Sequence, residues 1–211
     1  MTRAILLNGL LALAGAAAAP AQTLSLGVQG ALGDYREVSS NLRYLGVGAG
    51  GTVWLRVHRL SVEGSASSIS YDPRDSTAGL DSFKAVQLDA RLGVDIGAGL
   101  TVEVGAMRRT VDPELTAQEM GAARIGLRYS RVIGPGATVG VRGNYLAGAK
   151  FTGEGSAGLA FELGLLVSAG PQNGRFRVTG DYTFQRIDRK VNDVSVPIQQ
   201  SLVRIGIAVG F

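Results

Sequence analysis

A single histidine is the residue whose type most readily suggests catalysis, and the chain contains no cysteine. His58 would act as a general base if a nucleophile and a carboxylate stood beside it, as in serine hydrolases. It lies in the short stretch His58-Arg59, and no Ser-His-carboxylate order can be built around it. We interpret His58 as a polar turn residue and predict no catalytic residue. The lack of Cys also excludes thiolate metal sites.

Two further patterns have the composition of ligand-binding loops. Residues 71–83 contain Asp72, Asp75 and Asp81, whose carboxylates would suit calcium, but the spacing matches no EF-hand and solvated turn residues explain it equally well. Residues 45–54 are rich in glycine, but no Gly-Lys-Ser/Thr follows, as a nucleotide-binding loop requires. The formal net charge of +4 is too small to indicate nucleic-acid binding. We predict no metal, cofactor or nucleic-acid site.

The most functional-looking charges recur at every second position of apolar segments. In VQLDARLGVDI, Asp89, Arg91 and Asp95 alternate with apolar residues, which is the two-residue period of a β-strand. The same period places six acids and eight bases on one face of a predicted sheet. They are Arg56, Glu63, Asp89, Arg91, Asp95, Glu103, Arg109, Arg124, Arg128, Arg142, Glu162, Arg177, Asp181 and Arg204. Opposite charges on one enclosed face are suited to pair with each other.

Ten alternating segments supply the elements that would position these charges. They lie at about 23–33, 44–57, 60–70, 84–96, 100–109, 122–132, 137–146, 156–168, 175–185 and 200–211. The connections alternate in length. Short turns are predicted at 58–59, 97–99, 133–136 and 170–174, and long polar loops at 34–43, 71–83, 110–121, 147–155 and 186–199. The alternation predicts an all-β fold with one sheet face excluded from water.

The N-terminus has the pattern of a secretory signal peptide. Arg3 precedes an apolar run over 4–19, and Ala19-Pro20-Ala21 forms a small-x-small cleavage site. We expect cleavage before Gln22, which gives a signal peptide at 1–21 and one domain at 22–211. The apolar run is short for a membrane-spanning helix.

The chain ends in SLVRIGIAVGF, in which Val203, Ile205, Ile207, Val209 and Phe211 share one face. This ending, the signal peptide and the rhythm of strands and loops resemble small bacterial outer-membrane β-barrel proteins, the superfamily that includes opacity proteins and porins. The resemblance implies a transmembrane antiparallel up-and-down barrel of about ten strands, with eight as an alternative, and both termini in the periplasm. It also implies that Phe211 is part of the signal read by the barrel-assembly machinery. The partners it implies are outer-membrane lipid and lipopolysaccharide, and periplasmic chaperones during biogenesis.

Several alternatives remain open at the level of the sequence. A secreted soluble sandwich or barrel would show the same alternation, with its apolar face turned inward. Within the membrane-barrel interpretation, the inward charges form either a structural network in a filled lumen or the lining of a narrow porin-like channel. This predicted lumen set is Asp89, Arg91, Glu103, Arg124, Arg128, Arg142, Glu162, Arg177, Asp181 and Arg204. Lumen-side glycines such as Gly46, Gly48 and Gly126 favour a channel.

A filled lumen would leave the surface loops to serve structural, adhesion or binding roles. Some barrels that this chain resembles are enzymes, such as proteases with acidic pairs and an Asp-His pair, but those groups have no counterpart in this sequence. We therefore predict an integral, non-enzymatic outer-membrane protein.

Overall fold

The computed structural model describes residues 22–74, 80–113, 115–153, 155–171, 174–192 and 194–211. The predicted signal peptide at 1–21 and Asp75 of the acidic loop lie outside these residues. In the described part, no helix is long and apolar enough to cross a membrane.

Ten long antiparallel strands build the molecule, and each corresponds to one predicted segment. The strands are β1 (Gln22–Glu37), β2 (Leu42–Val57), β3 (Leu60–Pro73), β4 (Phe83–Gly97), β5 (Leu100–Asp112), β6 (Met120–Gly134), β7 (Ala137–Phe151), β8 (Ser156–Ala169), β9 (Phe176–Val191) and β10 (Val194–Gly210). One 3₁₀ turn, Thr116–Gln118, precedes β6. The predicted all-β class and strand number are confirmed.

The sheet closes on itself because β1 pairs with both β2 and β10. Val28 lies opposite Ile207, and the pairing continues to the end of the chain, where the Phe211 amide donates to the Leu24 carbonyl at 2.8 Å. A closed barrel has no unpaired edge, so every strand finds a partner on both sides. We call the end of the barrel that carries Gln22 and Phe211 the terminal end, and the opposite end the distal end.

An apolar belt surrounds the outside of the barrel from the terminal end to well above its middle. The belt includes Val28, Leu32, Val47, Val62, Leu88, Leu92, Val104, Ile125, Leu127, Val141, Leu163, Leu165, Val178, Val203, Ile205 and Ile207. Val28 is 71% exposed and Ile205 is 65% exposed, so these side chains point away from the protein. The exposure excludes the soluble alternative in which this face forms a core. Tyr129, Phe176 and Phe211 lie toward the terminal end of the belt, and Tyr145 and Tyr182 toward its distal part.

The terminal-end turns are as short as the sequence predicts. Only two residues, His58 and Arg59, separate β2 from β3, and His58 adopts a left-handed φ of 55°. The turn between β4 and β5 is equally tight. Tight turns of this kind join antiparallel neighbours directly.

The distal connections differ from the prediction of long loops, because the strands continue through most of the predicted loop residues. The predicted loop at 34–43 shrinks to 38–41, and that at 186–199 shrinks to 192–193. The other three distal connections span 74–82, 113–119 and 152–155. Backbone pairing continues here, with Tyr35 opposite Tyr44 in β2, although the register shifts between Gly121 and Ala123 and between Ala157 and Ala160. The wall of the barrel therefore extends beyond the belt.

Candidate functional site in the barrel interior

The strand alternation that exposes the belt turns the charged residues into the barrel. Within the lumen, four arginines and four carboxylates form one connected set of ion pairs, which we call the ionic network. Its members are Glu63, Asp89, Arg91, Glu103, Arg124, Arg128, Arg142 and Glu162. They come from six consecutive strands, β3 to β8. The network has equal numbers of positive and negative groups.

Glu162 is the most highly coordinated carboxylate in this network. Its side chain is 1% exposed and accepts hydrogen bonds from Arg91 at 3.1 Å and from Arg124 at 2.6 Å. The side-chain amides of Asn144 and Gln185 donate to it at 2.9 and 2.7 Å. Two cations and two neutral donors thus replace the water that a carboxylate loses on burial.

The remaining acids of the network bridge further arginines. Glu63 contacts Arg91 at 2.9 Å and Arg142 at 2.6 Å. Glu103 contacts Arg142 at 2.8 Å and Arg128 at 3.3 Å. Asp89 pairs with Arg124, and Gln87 and Ser65 also donate to it. Each guanidinium offers donors in a planar fork, which lets one Arg bind two carboxylates at once.

Three predicted lumen residues lie outside this network. Arg204 pairs with Asp181 on the neighbouring strand at 2.8 Å, which forms a separate ion pair. Arg177 lies near the terminal end, where it donates to the Gly136 carbonyl and the Ser168 hydroxyl. The structure therefore brings seven of the ten predicted residues together and adds Glu63, whose inward position the alternation also indicated.

The distal part of the lumen is filled by aromatic and aliphatic side chains instead of ion pairs. Tyr35, Tyr44, Tyr71 and Phe83 form what we call the aromatic cluster. Tyr71 stacks on Phe83 at 4.8 Å between ring centroids, and Tyr35 meets Phe83 edge-on at 5.5 Å. Apolar residues including Ile69, Ile198 and Leu202 surround these rings. A second apolar group contains Met107, Met120, Leu146 and Ile187.

Polar groups contact the aromatic cluster inside the lumen and join it to the distal 3₁₀ turn. Arg109 is 1% exposed, donates to Gln200 at 2.5 Å and lies 5.5 Å from the centre of the Tyr35 ring. The Tyr35 hydroxyl donates to Gln118 of the 3₁₀ turn, which in turn donates to Glu37 at 2.6 Å.

Sequence reasoning missed the aromatic cluster because three of its four rings, Tyr35, Tyr71 and Phe83, fall inside predicted loops. Tyr35 follows Ala31 and Gly33 at two-residue spacing on the inward face of β1. The two-residue period of a strand continues through Asp34-Tyr35-Arg36. Here, however, the aromatic residue points inward and the charged residues point outward. A prediction that requires the apolar residues to stay on one face therefore ends the strand near Leu32.

Two of the glycines that favoured a channel, Gly46 and Gly126, are covered by neighbouring side chains. A Cβ at Gly46 would lie 2.7 Å from both Ile69 and Tyr71. A Cβ at Gly126 would lie 2.2 Å from the Asn144 side chain. These glycines therefore give room for the packing of the wall and lumen.

No potential metal site of three or more His, Cys, Asp or Glu side chains is present in the described ranges. Asp72 of the acidic loop instead accepts a hydrogen bond from Ser82 at 2.6 Å. Asp75 cannot be placed in this arrangement, since it lies outside those ranges.

Comparisons with known proteins identify the architecture. No family model matches the sequence, and neither does any curated protein. The structure is similar to the outer membrane protease OmpT from Escherichia coli, with a TM-score of 0.54 and 10% identity over 90% of this chain and 96% of that chain. It is also similar to the COG4313 outer membrane channel from Pseudomonas putida F1, with a TM-score of 0.48 and 10% identity over 92% of this chain and 97% of that one. The translocator domain of the autotransporter NalP from Neisseria meningitidis has a TM-score of 0.47 and 13% identity, over 97% and 94% of the two chains. At these identities the likeness concerns the fold, so the chain has the fold of an outer-membrane β-barrel protein.

Proposed function

We propose that the chain is an integral outer-membrane protein with a filled lumen, which acts as a rigid, non-enzymatic support for a binding or adhesion surface at its distal end. The observation that carries this proposal is the pairing of a buried ionic network inside the barrel with an exposed apolar belt outside it. In a soluble barrel these two faces would be exchanged. Lipid is the solvent that favours an exposed apolar wall of this extent.

The filled lumen supports a structural role for the interior charges. Arg109, Arg124, Tyr35, Tyr44 and Tyr71 each have less than 2% of their surface exposed. Ten strands also enclose a lumen only slightly wider than the eight-stranded barrels that side chains fill. Ion pairs locked to partners on several strands fix the strands relative to each other, so the distal surface is held on a rigid frame.

A non-enzymatic role is supported by the position of His58. It lies exposed in the two-residue turn at the terminal end, far along the strands from the acids of the network. Its left-handed backbone and exposure suit a turn residue. One of the similar structures is a protease, but at 10% identity the similarity concerns the fold and not the catalytic mechanism.

Orientation follows from the same proposal. The short turns and both termini would face the periplasm, and the distal end would face the cell exterior, as the lengths of the connections favour. A Cys placed at His58 should stay unlabelled by a membrane-impermeant maleimide on intact cells, whereas one placed at exposed Asn192 should react. Reaction at position 58 alone would reverse the orientation.

Phe211 would act in biogenesis as part of the signal that the barrel-assembly machinery reads. Its side chain is 66% exposed directly after the last strand, and its backbone already closes the barrel onto Leu24. Deletion of Phe211 should lower the yield of folded barrel in cells more than it lowers the urea stability of barrel refolded in lipid. Normal cellular yield would leave Phe211 with a packing role only.

Conductance tests the filled lumen directly. Purified protein in planar bilayers should give no steady single-channel steps, while its heat-modifiable gel mobility shows that it is folded. Reproducible steps would favour the narrow-channel alternative. Recovery of folded protein in the soluble periplasm would overturn the membrane location itself.

A further inference from the structure

A basic depression lies on the outside of the barrel where the apolar belt ends, on β5, β6 and β7. It has a volume of about 360 Å³ and is lined by residues that include Arg108, Glu119, Gly121, Lys150 and Thr152. In the strand register, Arg108 lies opposite Gly121 and Gly121 lies opposite Lys150. The two cations therefore flank a glycine, about 10 Å apart along the sheet.

Two of the cations that line this depression, Arg108 and Lys150, have no protein partner among the described residues, whereas the third, Arg109, is buried and donates to Gln200. Neither Arg108 nor Lys150 makes an ion pair or hydrogen bond there, whereas the outward-facing pairs Asp34–Arg43 and Arg186–Asp188 are joined. Glu119 is the acid among the described lining residues, and it already accepts two hydrogen bonds. Glu119 accepts from the Val111 amide at 3.1 Å and from the Thr152 hydroxyl at 3.2 Å. Within the described part of the chain, Arg108 and Lys150 therefore present positive charge without a counter-ion.

Gly121 forms the floor between the two cations. A Cβ built on it would meet only the Met107 carbonyl oxygen, at 3.7 Å, so space above it is open. A ligand group can thus approach the backbone between Arg108 and Lys150 without displacing a side chain.

Below the depression the surface becomes apolar and stays shallow. One step toward the terminal end, Ala106, Ala123 and Ala147 form a cross-strand row of small side chains. The next row contains Val104, Ile125 and Tyr145, which belong to the belt and its aromatic residues. A ligand that fits this order has an anionic head and long apolar chains.

We infer that this depression binds a phosphate group of lipid A, the phosphorylated and acylated glycolipid part of lipopolysaccharide, with its acyl chains lying over the alanine row. The inference rests on the proposed function, because it requires the distal end of the belt to lie at the outer leaflet. Arg108 and Lys150 bind the phosphate as charge-assisted donors, and Arg contributes two of its nitrogens to phosphate oxygens. The small residues let the chains approach the wall closely.

Lipid A adducts on the purified full chain, measured by native mass spectrometry in detergent, test the inference. With added bisphosphorylated lipid A, the double variant R108S/K150S should bind about tenfold more weakly, as the loss of charge-assisted hydrogen bonds implies. The matched control is K84S/K190S, which removes two exposed outward cations of the same distal region with the same change of net charge. It should change binding by less than about twofold. Equal losses in both variants would show general electrostatic attraction and overturn the site.

A third variant tests the floor without altering charge. Gly121→Leu fills the open space and should weaken lipid A binding, while unchanged binding would overturn the proposed position of the phosphate. With the unaltered chain, lipid A lacking both phosphates should bind weakly, and inorganic phosphate should not compete at low millimolar concentration. Full binding of the dephosphorylated lipid, or effective competition by inorganic phosphate, would each overturn the assignment.

Membrane fractionation separates the two levels of failure. If the chain is membrane-integral and heat-modifiable but lipid A binding is insensitive to Arg108, Lys150 and Gly121, this inference fails and the proposed function stands. If the chain fails to fractionate with membranes, the proposed function fails first.

Discussion

The ionic network and the aromatic cluster fill one lumen with opposite chemistry. At the level of the apolar belt the outside is apolar and the inside carries ion pairs such as Arg124–Glu162. At the distal end the outside carries charges such as the Asp34–Arg43 pair, and the inside is aromatic. Within the belt, the barrel has the polarity of a membrane barrel. At the distal end, it has the polarity of a soluble barrel.

This inversion indicates that the solvent outside the wall, lipid or water, determines whether polar or apolar side chains fill the lumen. Where lipid covers the outside, the apolar residues of the alternation face outward, and the inward positions are left for polar residues that must satisfy each other. Beyond the belt, water covers the outside, and burial of apolar rings in the lumen again contributes stability. The two parts should therefore respond in different ways to substitution.

The largest effect is expected at Glu162, where substitution by Gln removes the charge from the centre of the network. Arg91 and Arg124 would each lose a carboxylate partner while remaining buried, at a cost of about 3–5 kcal/mol. Urea unfolding of protein refolded in lipid vesicles, followed by gel mobility and by the fluorescence of the single Trp, Trp54, would measure it. A cost below about 1 kcal/mol would mean that water enters the network.

The next effect concerns the outer wall at the level of that network. Leu163 is 53% exposed in the belt, and its replacement by Arg should cost about 2–4 kcal/mol if lipid surrounds it. The control is Val194→Arg, because Val194 is 62% exposed at the distal tip of β10 and should tolerate the charge within about 0.5 kcal/mol. The same unfolding assay applies. Equal costs at the two positions would remove the distinction between a lipid-covered and a water-covered wall.

The sequence predicted the structure at the level of the belt far better than the structure of the distal end. The belt and its inward charges follow one fixed alternation, so strand periodicity alone places Asp89, Arg124 and Glu162 on the inward face. Which acid pairs with which Arg depends on the tilt and register of six strands, and single-strand periodicity carries no such information. The distal parts of the strands were predicted as loops because the outward residues there are polar; on β1, for example, the apolar residues change from the outward to the inward face after Leu32.

A smaller effect is expected in the aromatic cluster. Phe83→Leu keeps an apolar side chain of fair size among rings and aliphatic groups that can shift, so the cost should be about 1–2 kcal/mol. Loss of the stack on Tyr71 accounts for part of it. The unfolding midpoint in lipid vesicles reports the change. A cost as large as that of Glu162→Gln would show that the distal lumen is as intolerant of substitution as the ionic network.

The smallest effect is expected for an ion pair on the outside of the distal wall. Arg186 contacts Asp188 at 3.2 Å, and their side chains are 40% and 28% exposed. Water solvates both partners, so Asp188→Asn should change the free energy of unfolding by only about 0–1 kcal/mol, and added salt should reduce even that. Glu162→Gln also removes one carboxylate charge, so the ratio of the two costs compares the same chemical change in a buried and a solvated setting. Unfolding in lipid vesicles at low and high salt gives both numbers. A cost for Asp188→Asn near that of Glu162→Gln would mean that this face is withdrawn from water, and the distal wall would then have to be covered by lipid or by another molecule.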